Sequence, residues 1–134
     1  MAGHEAILFA NEAFYRAFAD RDIDAMDAVW AGADNVTCIH PGWGLLEGRD
    51  QVMQSWLAIL SNENAPNITC HGAQAFVHGD VAYVVCYEKI DDTVLIVTNV
   101  FVQEGRRWRM LHHQSGPTSD APPDDDESPQ GPLN

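Results

Sequence analysis

Basic residues are scarce in this chain of 134 residues. Seven Lys and Arg stand against twenty Asp and Glu, which gives a formal net charge of −13 at neutral pH. Such an excess of negative charge repels polyanions, so nucleic acids and acidic membrane surfaces are not expected as partners. Long apolar runs are also missing, and no stretch has the length needed to span a bilayer. The composition therefore favours neither a nucleic-acid-binding protein nor a membrane protein.

Cysteine is equally rare. The three cysteines, Cys38, Cys70 and Cys86, are odd in number and widely spaced, which fits neither a disulfide framework nor a zinc knuckle. The first residues lack the basic start and apolar core of a secretory signal, so we expect a cytoplasmic protein. A nucleophile elbow, a phosphate-binding loop and a dinucleotide fingerprint are also missing, and neither phosphoryl transfer nor nicotinamide chemistry is expected. We expect no cofactor and no metal.

Three amphipathic helices are predicted in the first half of the chain. Apolar residues at spacings of three and four predict a first helix around Phe14. Asp22 can cap a second, shorter helix, and Gly48 precedes a third helix that carries Trp56. Between the second and third helices, residues 36–39 form a short β-rich run that ends in the turn signal His40-Pro41-Gly42.

The second half of the chain has the pattern of strands. The predicted strands are Ile68–His78, Val81–Ile90, Thr93–Gln103 and Arg107–Ser115, with short turns between them. Helices followed by a run of hairpins predict an α+β domain with an antiparallel sheet. Residues 118–134 are acidic and proline-rich, and we expect them to be a disordered tail on a single domain of residues 1–117.

Hairpin register determines which polar side chains share a face of the sheet. If Asp91-Asp92 is a two-residue loop, Glu88 lies opposite Leu95. If the last loop is also even-numbered, Asn99 lies opposite His112, whereas a three-residue loop would reverse the parity and remove the cluster. The predicted inner face then carries Val84, Cys86, Glu88, Val97, Asn99, Phe101, Met110, His112 and Gln114.

Glu88 and His112 are the candidate acid/base pair on this face. A carboxylate beside an imidazole can orient the ring and raise its pKa. The alternative is a polar network that only fixes the sheet, because a buried charge needs a partner. His40 is a third catalytic candidate at the mouth of the pocket, or else a turn residue that caps backbone carbonyls. A further alternative is a two-histidine, one-carboxylate metal site of His40, Glu88 and His112.

Aromatic, apolar and amide side chains are the candidates for ligand contact. They are Trp43, Trp56, Asn99, Phe101, Met110 and Gln114. Trp43 stands in a loop and is the best placed of these, whereas the helical spacing of Trp56 is more typical of a core residue. His113 alternates to the opposite face, together with Tyr87, Val100 and Leu111. Because that face is also apolar, we expect a second subunit to cover it in a homodimer.

The chain resembles the SnoaL-like domains of the nuclear transport factor 2-like superfamily. The matching segments are Asp24-Ala25-Met26 with Val29-Trp30, Cys38-Ile39-His40-Pro41-Gly42, Gly48-Arg49 with Val52 and Ser55-Trp56, Gly79-Asp80-Val81-Ala82, Cys86 with Glu88, Thr98-Asn99-Val100-Phe101, and Trp108-Arg109-Met110-Leu111-His112-His113. The resemblance covers residues 6–117. It implies a curved sheet wrapped around the helices as a cone with a blind pocket, often as a dimer and without an obligatory cofactor.

The resemblance also implies a range of functions. Some members of the family are isomerases, dehydratases, epoxide hydrolases or polyketide cyclases that use one His–carboxylate pair on a small organic molecule, and others only bind or associate. The expected function is therefore a small-molecule pocket protein, with a cofactor-free lyase or isomerase activity on a carbonyl or hydroxyl compound. The alternative is a non-catalytic ligand-binding or association module.

The chain departs from the family pattern after its last histidine. Related sequences tend to have three histidines followed by a small residue, serine and proline, whereas Gln114, Ser115 and Gly116 precede Pro117 here. Gln114 can form hydrogen bonds but cannot transfer a proton near neutral pH. The chain also has no obvious counterpart of the aspartate base and tyrosine donor of ketosteroid isomerases, so that reaction is not expected.

Overall fold

Residues 2–122 are described by the computed structural model. The helices are α1 (Ala2–Ala19), α2 (Ile23–Val29) and α3 (Arg49–Ser61). The strands are β1 (Thr37–Ile39), β2 (Leu46–Glu47), β3 (Thr69–His78), β4 (Val81–Ile90), β5 (Thr93–Glu104) and β6 (Arg107–Pro117). The tail that we predicted to be disordered lies outside the described residues from position 123 onward.

The predicted elements are confirmed, and β2 is an addition to them. The Asp22 side chain caps α2 by accepting a hydrogen bond from Ala25 N at 3.1 Å. The predicted turn after β1 is closed by Trp43 N, which donates to His40 O at 2.9 Å. Gly42 takes φ +83° at the third position of this turn, a backbone conformation that favours glycine.

The six strands form one curved sheet in the order β2-β1-β6-β5-β4-β3. The pairing is antiparallel except between β1 and β6, which run parallel. α1 packs against β3, β4 and β6, and the core lies between the helices and this face of the sheet. The fold is the α+β cone that the sequence predicted. Among the described residues, no helix is both long and apolar enough to cross a membrane.

The register of the first hairpins is as predicted. Ile90 pairs with Thr93 across a two-residue turn, and Glu88 lies opposite Leu95. The last hairpin also has a two-residue loop, since Glu104 pairs with Arg107. The parity of both loops is therefore confirmed.

A β-bulge at Leu111 overturns the prediction for the end of β6. Phe101 pairs with Met110 as predicted, but Val100 pairs with His112, so that Leu111 has no partner on β5. One extra residue reverses the alternation of every side chain beyond it. Asn99 therefore lies opposite His113, and the prediction that it lies opposite His112 is wrong.

Arg49 holds the start of α3 to the end of α2. Its Nη1 donates to the backbone oxygens of Trp30 at 3.1 Å and Ala31 at 2.6 Å. Its Nη2 lies 2.6 Å from Asp27 Oδ1, in an ion pair whose acidic partner is 58% exposed. Nη2 also donates to Asp27 O at 3.3 Å. The contacts with Trp30 O and Ala31 O are the more shielded part of this interaction, because Trp30 and Ala31 are buried.

Arg49→Met should lower the free energy of unfolding by about 2–3 kcal/mol, because it removes charge-assisted hydrogen bonds to two buried carbonyls. Asp27→Asn removes only the exposed ion pair, and should cost less than about 1 kcal/mol. Urea denaturation of both variants at neutral pH measures the difference. Equal losses in the two variants would show that the ion pair, and not the carbonyl contacts, stabilises this junction.

Candidate functional site

His113 and Asn99 meet inside the cone. His113 Nδ1 lies 2.6 Å from Asn99 Oδ1, and the two residues are 2% and 0% exposed. Asn99 Nδ2 donates to Asn11 Oδ1 at 2.9 Å and to Tyr15 Oη at 3.3 Å. Since the amide oxygen can only accept, His113 Nδ1 carries the proton and donates it to Asn99. The lone pair of the imidazole is therefore on Nε2.

Tyr15 joins this pair to Glu88. The Tyr15 hydroxyl donates to Glu88 Oε2 at 2.7 Å and also contacts Cys86 Sγ at 3.4 Å. The result is a continuous hydrogen-bonded series from His113 through Asn99 and Tyr15 to Glu88, which we call the polar chain. All four side chains are buried.

Burial dominates the electrostatics at the Glu88 end of the polar chain. Burial raises the pKa of Glu88 from 4.5 to about 7, although the hydrogen bond from Tyr15 opposes the shift. Burial and the neighbouring Glu88 raise the pKa of Tyr15 well above its ordinary value. Near neutral pH, Glu88 can thus gain or lose a proton while Tyr15 remains a hydrogen-bond donor.

His40 lies on the other side of His113, because β1 runs parallel to β6. Its ring centroid lies 6.4 Å from that of His113, 4.7 Å from that of Trp56 and 4.8 Å from that of Trp43. His40 Nε2 is 2.9 Å from Ser55 Oγ, whose own proton is donated to Val52 O. His40 therefore donates from Nε2, and its lone pair is on Nδ1.

Both imidazoles are neutral near physiological pH. Burial lowers the pKa of His40 to about 4. Burial, together with His40 and His112, lowers the pKa of His113 to about 3. Neutral rings can accept or donate hydrogen bonds but supply no positive charge. Within residues 2–122, the two imidazoles at this end of the cone therefore supply no positive charge that would favour an anionic ligand.

Two buried donors beside the imidazoles have no hydrogen-bond partner in the described part of the chain. They are Trp56 Nε1 and Ser115 Oγ. The ring of Trp56 lies 5.9 Å from that of His113, and Ser115 is the next inward-facing residue of β6. An unpartnered polar group in a protein interior calls for an explanation, and a ligand oxygen would satisfy either donor.

A cleft of about 510 Å³ reaches the polar chain at Tyr15. It lies between α1 and β3, and its lining includes Asn11, Tyr15 and Cys70. This cleft is not lined by His40, Trp56 or His113, whose rings pack against one another.

His112 and Gln114 lie on the outer face of the sheet, contrary to the predicted pairing with Glu88 and Asn99. His112 Nδ1 is 2.6 Å from Thr37 Oγ1, and Gln114 is exposed. The bulge at Leu111 is the physical reason. The alternative metal site fails for the same reason, because its members do not face one another. Within residues 2–122, no group of three or more His, Cys, Asp or Glu residues is arranged to hold a metal ion.

The other predicted ligand contacts divide between core and surface. Trp56, Phe101 and Met110 are almost completely buried in the core. Trp43 is 49% exposed and lies edge-on against His40. The structure thus brings His40, Asn99, Trp43 and Trp56 to one region, with Glu88 at the far end of the polar chain.

Tyr15, Asn11 and His113 are members of the site that sequence reasoning missed or placed elsewhere. Asn11 and Tyr15 stand four residues apart on α1, between the buried Ile7 and Phe18. Polar groups at helical spacing inside an apolar stripe were the available signal. Tyr15 is the hydrogen-bond donor to Glu88, a pairing that the sequence analysis did not predict.

A model of the SnoaL-like domain matches residues 7–119. The chain belongs to the SnoaL-like domain family. Among solved structures, this SnoaL-like chain is similar to a candidate dehydratase of the NTF2-like family from Streptomyces avermitilis. That match has 28% identity and a TM-score of 0.80, and it covers 89% of this chain and 98% of the other.

Two further relatives of this SnoaL-like chain carry different names. A candidate calcium/calmodulin-dependent protein kinase type II association domain from Thiobacillus denitrificans is 32% identical with a TM-score of 0.70, over 82% of this chain and 93% of that chain. The F-box protein SKIP8 of Arabidopsis thaliana is 33% identical over 112 residues, which are 82% of this chain and 48% of that protein. The chain thus spans about half the length of this plant relative.

The ionisation of Glu88 should appear in the pH dependence of stability. Its folded pKa of about 7 exceeds the ordinary value of 4.5, so the unfolded state loses this proton first as the pH rises. Relative to Glu88→Gln, the wild type should lose stability between these two pH values. With about 1.4 kcal/mol per pKa unit, the relative loss approaches about 3 kcal/mol.

Urea denaturation of the wild type and Glu88→Gln from pH 4 to pH 8 measures this difference, and the two histidines cancel because both proteins retain them. Tyr15→Phe is the companion variant. Because the Tyr15 hydrogen bond lowers the pKa of Glu88, its removal should extend the decline to higher pH. A constant difference between the wild type and Glu88→Gln across the range would rule out a raised pKa.

Proposed function

We propose that the chain binds a small, uncharged organic molecule with a carbonyl or hydroxyl group inside the cone. We propose further that it catalyses isomerisation or dehydration of this molecule by proton transfer, without a cofactor. The observation that carries the proposal is the polar chain from Glu88 to His113, because four buried polar side chains cost more free energy to bury than apolar ones and here form one continuous hydrogen-bonded network. The similarity to a candidate dehydratase supports the same reaction class.

Glu88 is the proposed proton acceptor. Its pKa of about 7 leaves a large fraction ionised at neutral pH while keeping the carboxylate basic enough to accept a proton. Tyr15 donates a hydrogen bond to Glu88 and stands at the cleft, where it can also contact a ligand oxygen. His113 and Asn99 hold these groups in place and extend the polar surface toward Trp56.

The groups that form the polar chain include no cation, and the charged residues that line the cleft at Tyr15, Glu12 and Arg16, are of opposite sign; both observations favour uncharged ligands. Both imidazoles are neutral at physiological pH, and an ionised Glu88 would repel a carboxylate or phosphate. A carbonyl or hydroxyl oxygen can instead accept from the unpartnered Trp56 Nε1 or Ser115 Oγ. The ring of His40 contacts that of Trp56, and Trp43 contacts His40, so His40 and Trp43 would lie near a ligand bound at Trp56 Nε1.

A pair of neighbouring histidines provides a matched binding test. Uncharged ketones and alcohols of fragment size are screened against the wild type by ligand-observed NMR, and the hits are titrated into the variants. His113→Ala and Tyr15→Phe should weaken binding roughly tenfold or more, because each breaks the polar chain. His112→Ala should change binding less than about twofold, since His112 lies on the outer face. Equal effects of the two histidine variants would contradict the assignment.

Proton transfer is tested with the same ketone hits in D₂O. The wild type should exchange the hydrogens next to the carbonyl for deuterium, as followed by the loss of their NMR signals. Glu88→Gln keeps the shape of the side chain but removes the base, and should slow the exchange by roughly 10²-fold or more. If this variant exchanges at the wild-type rate while still binding the ketone, Glu88 is not the base.

The outer face of the sheet supports a second candidate function, namely association into a homodimer. Ile96 is 37% exposed there and lies opposite the half-buried Tyr87, and the half-buried Val100 lies further along β5 on the same face. A row of apolar side chains on an uncovered sheet face is typical of an interaction surface. The similarity to a candidate kinase association domain at 32% identity supports this proposal.

Ile96→Lys should convert a dimer to a monomer in native mass spectrometry, because it places a charge in the apolar contact. Leu57→Lys is the matched control, since Leu57 is 50% exposed on α3, away from the outer face. A dimer that survives Ile96→Lys, or one that Leu57→Lys also disrupts, would locate the contact elsewhere. The same spectra show whether the purified protein retains a small molecule.

A further inference from the structure

A second cavity, larger than the cleft at Tyr15, lies on the outside of the helices. This groove has a volume of about 750 Å³ and runs between α1, α2 and the turn that joins β5 to β6. Its walls include Phe9, which is 70% exposed, and Trp108, and alanines of both helices form much of its floor. It includes none of the four residues of the polar chain, and it shares only Glu12 and Arg16 with the cleft at Tyr15.

Three of the seven basic residues of this acidic chain open into the groove. They are Arg16, Arg106 and Arg107, and none of them forms an ion pair within residues 2–122. Arg106 and Arg107 are consecutive and exposed at the hairpin end of the groove, directly before Trp108. Carboxylates also line the groove, but they belong to the helix side: Glu5, Glu12 and Asp20. The hairpin end therefore combines two free guanidinium groups with an aromatic ring.

The chain itself contains a segment of complementary chemistry. Positions 124–127 are Asp-Asp-Asp-Glu, and prolines stand on both sides, at Pro122 and Pro123 and at Pro129 and Pro132. Proline-rich segments in extended form bind grooves lined with aromatic side chains, and carboxylates pair with guanidinium groups. We propose that the segment of residues 123–134 of one molecule binds this groove on a second molecule.

Distance excludes contact between the acidic run and these arginines within one molecule. Thr118 N donates to Val94 O, and Pro122 still lies beside Asp91 and Asp92, at the turn between β4 and β5. Arg107 lies at the opposite end of β6, eleven residues before Thr118 and roughly 35 Å from it along the strand. From Pro122, the five residues up to Glu127 reach at most about 18 Å, so the acidic run can meet these arginines only on another copy.

Charge exchange between the two partners tests the proposal on the full chain. Sedimentation velocity over a range of concentrations measures self-association of the wild type, of Arg106→Asp/Arg107→Asp, and of Asp125→Arg/Asp126→Arg. Each double variant should weaken the association roughly tenfold or more, and the chain that carries all four substitutions should regain it. Lys89→Asp, a cation outside the groove, is the control for net charge and should have little effect.

The location is tested separately with a synthetic peptide of residues 119–134. Its addition to the ¹⁵N-labelled wild type should shift the indole N–H signal of Trp108, and a peptide with Asn and Gln in place of its acids should not. Failure of the four-fold variant to regain association would overturn the proposal. So would peptide binding that leaves Trp108 unchanged, which would indicate that the segment binds another surface. These comparisons do not depend on the sheet-face dimer. The charge variants can all be made in the chain that carries Ile96→Lys, and the expected order of their association is the same there.

Discussion

The pairing of β6 with two different neighbours is the constraint on which the interior depends. At Met110, β6 accepts a hydrogen bond from Ala31 N and bridges to Trp30. Two residues later it begins its parallel pairing with β1. The unpaired Leu111 lets one strand satisfy both neighbours while β5 remains continuous on its other edge. As a result Met110 and His113, three positions apart, both face the helices.

The polar interior is stable because it is almost free of charge. Four polar side chains are buried in the polar chain, and each has a hydrogen-bond partner within it, so that the cost of removing them from water is largely offset. Protonation of Glu88 below its pKa and the neutrality of both histidines avoid the larger cost of a buried ion. A site built in this way distinguishes ligands by the positions of donors and acceptors more than by charge.

Sequence patterns predicted the local features of this fold and missed a non-local one. The helices, the turn at His40 and the parity of both two-residue loops depend on residues close in sequence, and all were predicted correctly. The bulge depends on the pairing of β6 with β1 and on its bridge to Trp30, which lie about seventy and eighty residues earlier in the chain. Rules for hairpins consider only strands that are consecutive in sequence. Glu88 and Asn99 lie before the bulge, and the sequence placed them correctly on the inner face. His112 and His113 lie beyond it, so the sequence assigned each of them to the wrong face. Tyr15 was missed because a single tyrosine on an amphipathic helix resembles an ordinary core residue.

The hydrogen bonds of the polar chain all point the same way. His113 donates to Asn99, Asn99 donates to Tyr15, and Tyr15 donates to Glu88. Each bond polarises the next, so a negative charge on Glu88 draws every proton slightly toward itself. The electron density on Nε2 of His113 then rises without any movement of the backbone. An event at the cleft that changes the protonation of Glu88 is thereby transmitted to the imidazole at the far end of the cone.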